Sequence, residues 1–510
     1  MGHRRILLLT LPCFALACED EVLVRLPEPE TQVDELKQKP AALVDILWVV
    51  DNSGSMQEEQ SALAANFEKF ITGLTTCQGS GMANDICDFN TKKCAVSGAP
   101  CNPPDYHIGV ISTDVRTPTD TGRLRKVGLC VPSSGASPLN GRYDYCTQSS
   151  QCTGDAANGF CDVNQSISFV TATTPGASAA FARAVQVGIT GSGLETGIRA
   201  AALAVGRDTN RATGEWTAAP TENNGFLRPD ASLFMIFVSD EEDSSFGEVP
   251  YYYRAFETLK GAGNEAQVSV SAIVGDPDVD GETGQTRGGC PAPPMDLTAS
   301  PGGRYVSLAM YSRGLGSELR VCDDRRLTCP EGNSCARPVP GLPGICVPSG
   351  QCAVDQDCGN FKCTGDKGCI PCNNARCTAD PALFLELLSR NGVFGSICAP
   401  DYGVVLGSLG FEAAGLARKF QLTKFPDCAK EVKCCDKEVA EEACTTNARV
   451  CVRVNGKVIP NERQTGWVYE PGSNAVFFDG AFVPPTDAAI EVLYKKSGAD
   501  KALSCETAIR

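Results

Sequence analysis

The chain has 510 residues and a formal net charge of −16, which becomes −18 when Arg4 and Arg5 leave with a leader segment. An acidic surplus of this size excludes a phosphate-backbone binder, which needs clustered Lys and Arg, and suits hard cations or plain solubility. With 42% hydrophobic residues the composition is globular, and the length predicts about two or three separate cores.

In chain order, the first feature is Arg4-Arg5 followed by the apolar run "ILLLTLPCFALA" (6–17), Cys18 and "EDE". This is the layout of an export signal, and the run is too short to span a bilayer. Ala15-Leu16-Ala17-Cys18 resembles the lipobox of bacterial lipoproteins, although Ala15 stands where leucine is usual. The resemblance implies acylation of Cys18 and a lipid-anchored, exported protein that meets the membrane through that anchor alone. The alternative is an ordinary cleaved signal with an incidental cysteine. Residues 19–41 are charged and poor in apolar side chains, so they read as a tether.

An alternating pattern follows. "ALVDILWVV" (42–50) has strand length and composition, and the next stretch sets Leu63, Phe67, Phe70, Ile71 and Leu74 at helical spacing, with Glu58, Glu59 and Lys69 off that stripe. Further strands are predicted at 107–114, 232–240 and 267–276, and helices at 194–205, 251–261 and 401–420. Near-continuous apolar strands alternating with helices predict an α/β, doubly wound, mostly parallel sheet over residues 42–425. From 426 to 510 the pattern changes to short strands around the turn Asn455-Gly456, which predicts a small C-terminal all-β domain.

Of the 28 cysteines, Cys13 and Cys18 belong to the leader. In an exported chain the remainder predict disulfides, not zinc clusters. They fall in even groups within 77–101, 130–161, 322–377 and 428–505, so each group is expected to close on itself. Cys290 and Cys398 stand alone and are left as a pair. Three of these groups sit in insertions, near 77–104, 122–165 and 322–380, whose sparse hydrophobic periodicity means that bridges must replace a core.

In open parallel sheets ligands bind beyond the carboxyl ends of the strands. There the first strand ends in Asp51, Ser53 and Ser55, the second in Ser112, Thr113 and Asp114, and a later one in Ser239 and Asp240. Carboxylate and hydroxyl oxygens without His or Cys form the ligand set of Mg²⁺, Ca²⁺ or Mn²⁺. The bland alternative is that Asp51 and the serines cap the following helix. The cluster Glu241–Asp243 reads as a solvated loop at the rim of this site. "DPDVDGETGQTR" (276–287) imitates an EF-hand loop but places Arg287 where a bidentate Glu is required, so an acidic turn is favoured.

Asp51-Asn52-Ser53-Gly54-Ser55 after an apolar strand, with Ser239-Asp240 after a later one, resembles the von Willebrand factor type A domain. The resemblance implies a metal-ion-dependent adhesion site built on Asp51, Ser53, Ser55 and Asp240, with an open coordination position for an acidic side chain of a partner protein. That family also supplies a threonine from a Gly-rich loop. In "GITGSGLETGIRAA" (188–201) the position falls on Gly193 or Leu194, with Thr190, Ser192, Glu195 and Thr196 as neighbouring substitutes. Glu195 would be a stronger ligand than threonine, and Asp114 is a further candidate.

The sequence carries no G-x-S-x-G, no P-loop and no H-E-x-x-H, and His107 is the one imidazole outside the leader. These absences favour a metal-dependent protein-binding module of the bacterial envelope over an enzyme. The alternatives are an envelope scaffold in which the metal is only structural, and an acidic-residue hydrolase.

Overall fold

The computed structural model describes residues 30–37, 43–277 apart from 78–84, 102, 132–143, 153–158, 211 and 262–266, and 299–313. Beyond these it describes 321–322, 333–336, 339, 342–348, 362–363, 369–370, 385, 388–389, 392–399, 401–413, 419–461, 466–470, 474–478, 484, 488–498 and 504–505. The leader with Cys18, the residues 278–287 of the EF-hand-like segment, and Cys290 lie outside them. Cys398 is disulfide-bonded, but the expected pairing with Cys290 therefore also lies outside the described residues. Among the described residues no helix is long and apolar enough to cross a membrane.

The centre of the molecule is a six-stranded sheet of β1 (Val44–Val50), β2 (Tyr106–Ser112), β3 (Phe169–Thr171), β4 (Ser232–Ser239), β5 (Val268–Val274) and β6 (Phe394–Ser396). Their spatial order is β3-β2-β1-β4-β5-β6. All pairings are parallel except that of β3 with β2. β1 therefore lies inside the sheet, between β4 and β2, and its burial is complete along its whole length.

Burial on both sides explains the unbroken apolar runs, and the pleat sorts them. Val44, Ile46, Trp48 and Val50 face one core, with Leu63, Phe67, Phe70 and Leu74 of α1 (Gln57–Thr75), Phe181 of α2 (Ala177–Ala184) and Leu406 and Leu409 of α6 (Gly403–Ala413). Leu47 and Val49 face the other, with residues of α3 (Gly197–Ala204), α4 (Val249–Glu257) and α5 (Gly303–Arg313). Trp48 is fully buried and sits edge-on to Phe70 and Phe181, with ring centroids 5.2 and 5.3 Å away. Such aromatic pairs stabilise by about 0.5–1.5 kcal/mol beyond the area they bury.

At the amino edge of the sheet Asp45 is buried, and Arg228 satisfies it with its backbone N–H (2.6 Å) and its Nε (2.8 Å). His107 packs beside this pair, its Nδ1 2.9 Å from the Phe226 carbonyl, so the lone imidazole is structural.

Every disulfide with both partners described closes within its own cysteine group. Cys77–Cys94 and Cys87–Cys101 tie the first insertion, and Cys130–Cys152 and Cys146–Cys161 the second. Cys322–Cys335 lies in the third, and Cys428–Cys505, Cys434–Cys451 and Cys435–Cys444 tie the C-terminal region.

That region differs from expectation at both of its borders. Strand Lys419–Gln421 already belongs to it, pairing with Ala475–Phe477, so the described helix runs to Ala413 and the change falls before 426. Its four-stranded sheet runs in the order Thr31–Lys37, Ala489–Lys495, Val450–Val454 and Lys457–Val458. Residues 31–37 are thus an edge strand, not a tether. Their one fully inward residue is polar: Asp34 accepts hydrogen bonds from the Tyr494 hydroxyl and the Thr423 amide, each 2.8 Å away. The hairpin turn stands where expected, with positive φ at Asn455 (51°) and Gly456 (83°).

Helices α1 and α6 touch through glycine. A Cβ on Gly410 would collide with the Phe70 carbonyl and the Leu74 amide, whereas one on Gly407, a turn earlier, meets nothing within 4 Å. Gly410→Ala is therefore expected to destabilise by about 1–3 kcal/mol through overpacking. Gly407→Ala is expected to stabilise by roughly 1 kcal/mol through helix propensity. Thermal melts that shift in opposite directions would bear this out; equal shifts would refute the close crossing.

Candidate metal centre

Three strand ends are pinned together by backbone hydrogen bonds, Asp51 N–H to the Val238 carbonyl at 2.9 Å and Thr113 N–H to the Val50 carbonyl at 3.1 Å. The chain then makes a tight turn in which the Ser53 amide donates to Asp51 Oδ1 at 2.7 Å. Helix α1 begins only after Met56, and no side chain caps it. The oxygens of Asp51, Ser53 and Ser55 are accordingly not helix caps. They remain at the carboxyl edge of the sheet, with the two serine hydroxyls 3.1 Å apart.

Asp51 is fully buried and is aimed from two sides, by the Ser53 amide and by the Ser239 hydroxyl, which donates to Oδ2 at 2.6 Å. Gln60 fixes the turn by donating to the Asp51 carbonyl and to the Gly188 carbonyl, each at 2.8 Å. This second bond draws the Gly-rich loop toward the site, as does the Gly191 amide on the Asn52 carbonyl at 2.8 Å. A side chain at Gly191 would overlap the Asn52 carboxamide.

The same loop delivers Glu195. It is fully buried, its Oε2 accepts a hydrogen bond from the Thr113 hydroxyl, and its Oε1 is buried without a partner. Leu194, which with Gly193 is where the resemblance aligns a threonine, is 51% exposed. From the fourth strand comes Asp240, buried, with Oδ1 likewise unpartnered.

No Lys or Arg ion pair reaches Asp51, Glu195 or Asp240 among the described residues. Burial, then the charge of Asp240, pushes the Asp51 carboxyl up to about 6. Burial, then the charge of Asp51, pushes Glu195 up to about 9. Glu241 is raised by burial and then by Asp51 and Asp240. Orphaned carboxylate oxygens repelling one another are the donor set a hard divalent cation satisfies, and hydroxyls and water complete such a shell. Among the described residues the trios of ligating atoms that lie within 4.8 Å of one another include two or more cysteines each, such as Cys77, Asp85 and Cys94, and Asp51, Glu195 and Asp240 do not form such a trio. Those cysteines are in disulfides and offer no thiolate.

Two expected acids stand apart from this set. Asp114 closes its own turn, accepting from the Arg116 amide (2.6 Å) and the Thr117 hydroxyl (2.6 Å). Burial opposes its ionisation, but those bonds outweigh it and hold the carboxyl below its usual range. Asp243 is not part of a solvated rim: it is 3% exposed and paired with Arg304 Nε at 3.0 Å, which neutralises it. One acid that the sequence pattern sets aside is drawn in: Glu59 is buried, with Oε2 unpartnered. The signal was available in its chain position, in the first turn after the Asp51 loop.

No protein-family model matches the chain, and no curated protein matches it.

These two shifts act in one direction on the stability of the metal-free protein. Asp51 and Glu195 titrate at higher pH folded than unfolded, so the folded state holds more protons and stability falls as pH rises between about 4 and 9. In EDTA the melting temperature is expected to fall across that range, and the gain from added Mg²⁺, Ca²⁺ or Mn²⁺ to grow across it. A metal-induced shift independent of pH would count against the site. By calorimetry, Asp51→Ala is expected to abolish binding of the ion held at this site, and Asp114→Ala to leave its affinity within about twofold, since Asp114 serves only its turn.

Proposed function

We propose that the chain is a metal-dependent protein-binding module of the von Willebrand factor type A kind, exported and lipid-anchored through Cys18 to the bacterial envelope. The observation that carries this reading is the donor set itself. Asp51, Ser53, Ser55, Asp240 and Glu195 are assembled at the carboxyl edge of the sheet, and buried carboxylate oxygens are left over. The strand order β3-β2-β1-β4-β5-β6, with its single antiparallel edge, supports the fold assignment. The C-terminal sheets, which share a core around Trp467, Tyr494 and Phe478, support a separate all-β domain.

A bound Mg²⁺, Ca²⁺ or Mn²⁺ would supply an electrophilic centre whose remaining position accepts a carboxylate from the partner protein. The protein's part is to hold the donors rigid. Ser239 and the Ser53 amide orient Asp51, and Thr113 orients Glu195. Leu194 and Ile189, at 51% and 39% exposure on the Gly-rich loop, offer apolar contact beside the site.

A second reading follows from Glu195 alone. As a third carboxylate it closes the site electrostatically and suits a cation that only locks the loops, with the insertions or the C-terminal region making the contacts of an envelope scaffold.

Capture of the partner from envelope extract separates the two. The adhesion reading expects capture to be lost both in EDTA and in Asp51→Ala at a temperature where each protein stays folded. Capture that persists under both conditions, with only the melting temperature lowered, would replace it by the scaffold reading.

A further inference from the structure

Tyr305, in the first turn of α5, is fully buried and stacks on Phe237 of β4, with ring centroids 5.2 Å apart. Its phenol oxygen has no hydrogen-bond partner among the described residues. A phenylalanine would fill the same space without stranding a polar atom out of water, which costs stability. The chain nevertheless keeps room for this hydroxyl. A Cβ on Gly197, the first residue of α3, would stand 2.6 Å from it and 3.1 Å from Thr113 Cγ2. The hydroxyl therefore lies against the backbone of the segment that carries Glu195, and beside Thr113. That same threonine donates its own hydroxyl to Glu195 Oε2, and its carbonyl accepts from the Thr196 hydroxyl at 3.1 Å. Glu195 Oε1 is left buried without a partner. One orphaned donor and one orphaned acceptor thus flank Thr113. The other orphaned hydroxyl at this strand end is Ser112. It follows Ile111, which faces the α3 core, so the pleat turns it toward α1.

We propose that Tyr305 is a positioning residue of the Asp51 centre, its hydroxyl being the second donor to Glu195 when that carboxylate ligates a cation. This rests on the reading of the centre as a metal site, and adds to it the group that sets Glu195 in place. A ligating carboxylate is oriented by hydrogen bonds to its remaining lone pairs, and a buried ionised one is favoured by more than one donor. Thr113 supplies the first from the end of β2. Tyr305 supplies the second from α5, so two separate elements grip the ligand. Ring packing alone is the bland alternative, and it gives the oxygen no role.

Tyr305→Phe keeps the ring and removes the oxygen. Titration calorimetry of the full chain with Mn²⁺ is expected to show affinity at the Asp51 centre reduced about tenfold or more, with the stoichiometry unchanged. In EDTA the melting temperature of this variant is expected to stay level or rise, because a stranded hydroxyl has gone. A residue that only fills the core would leave Mn²⁺ affinity unchanged, and that result overturns the assignment. In a Glu195→Ala background, Tyr305→Phe is expected to cause no further loss of affinity. An undiminished further loss would show that the hydroxyl acts elsewhere, and would overturn the assignment too. Failure of the underlying reading looks different. Wild-type protein that takes up no Mn²⁺, or Asp51→Ala protein that binds it as the wild type does, removes the metal centre itself and the Tyr305 role with it.

Discussion

Carboxylates crowded together out of water repel one another and lose hydration, and a protein tolerates this only where protonation or something positive offsets the charge. The chain handles its buried acids in two ways. At the amino edge of the sheet Asp45 is answered by Arg228, and beneath the loop after β4 Asp243 is answered by Arg304. These are closed accounts of charge, built into the fold. At the carboxyl edge the buried acids Asp51, Glu195 and Asp240 have no such answer among the described residues, although the chain plainly can supply an arginine when a static pair is wanted. The sheet is therefore electrostatically polar, with its buried acid paired to arginine at one end and its buried acids without such a pair among the described residues at the other.

The rest of the architecture serves that edge. β1 can end in a buried aspartate because its own alternation feeds two cores, which hold the strand in register from both faces. Three connections then converge on its tip: the turn into α1, the Gly-rich loop before α3 and the segment after β4. Each is tethered by hydrogen bonds to its neighbour, Gln60 to Gly188, Gly191 to Asn52, and the Ser244 amide to the Glu195 carbonyl at 2.6 Å. The cysteine-stapled insertions depart from the same βα framework without interrupting the central strands. Their bridges do the work that apolar area does elsewhere, leaving loop shape free to vary.

Much of this was legible in the residues. The four longest inner strands announce themselves as apolar runs because a strand covered on both faces has no polar side to interrupt it. The edge strands β3 and β6 are three residues each, below the length at which periodicity speaks, and went unpredicted. The strand Thr31–Lys37 reads as a charged tether because its inward position is Asp34, and an edge strand needs little apolar content. Within the site, Asp51, the serines and Asp240 are placed by a strand ending in polar residues, which sequence displays directly. Asp114 and Glu59 exchange their expected roles for a reason sequence does not display. Whether an acid in a turn bends back onto its own amides or points inward depends on the tertiary packing of the next element.

The edge strand Thr31–Lys37 carries one further consequence. Its partner is Ala489–Lys495, so the two halves of that ladder lie far apart along the chain. The earlier half must wait, with its hydrogen-bonding groups hydrated, while the whole α/β unit and every insertion are threaded between them. Closing so long a loop gives no return until Ala489–Lys495 arrives, so this pairing cannot form before that strand is made. A chain truncated before Ala489 would keep its central-sheet strands yet leave Thr31–Lys37 unmatched. Quality-control proteases recognise exposed extended segments of that kind.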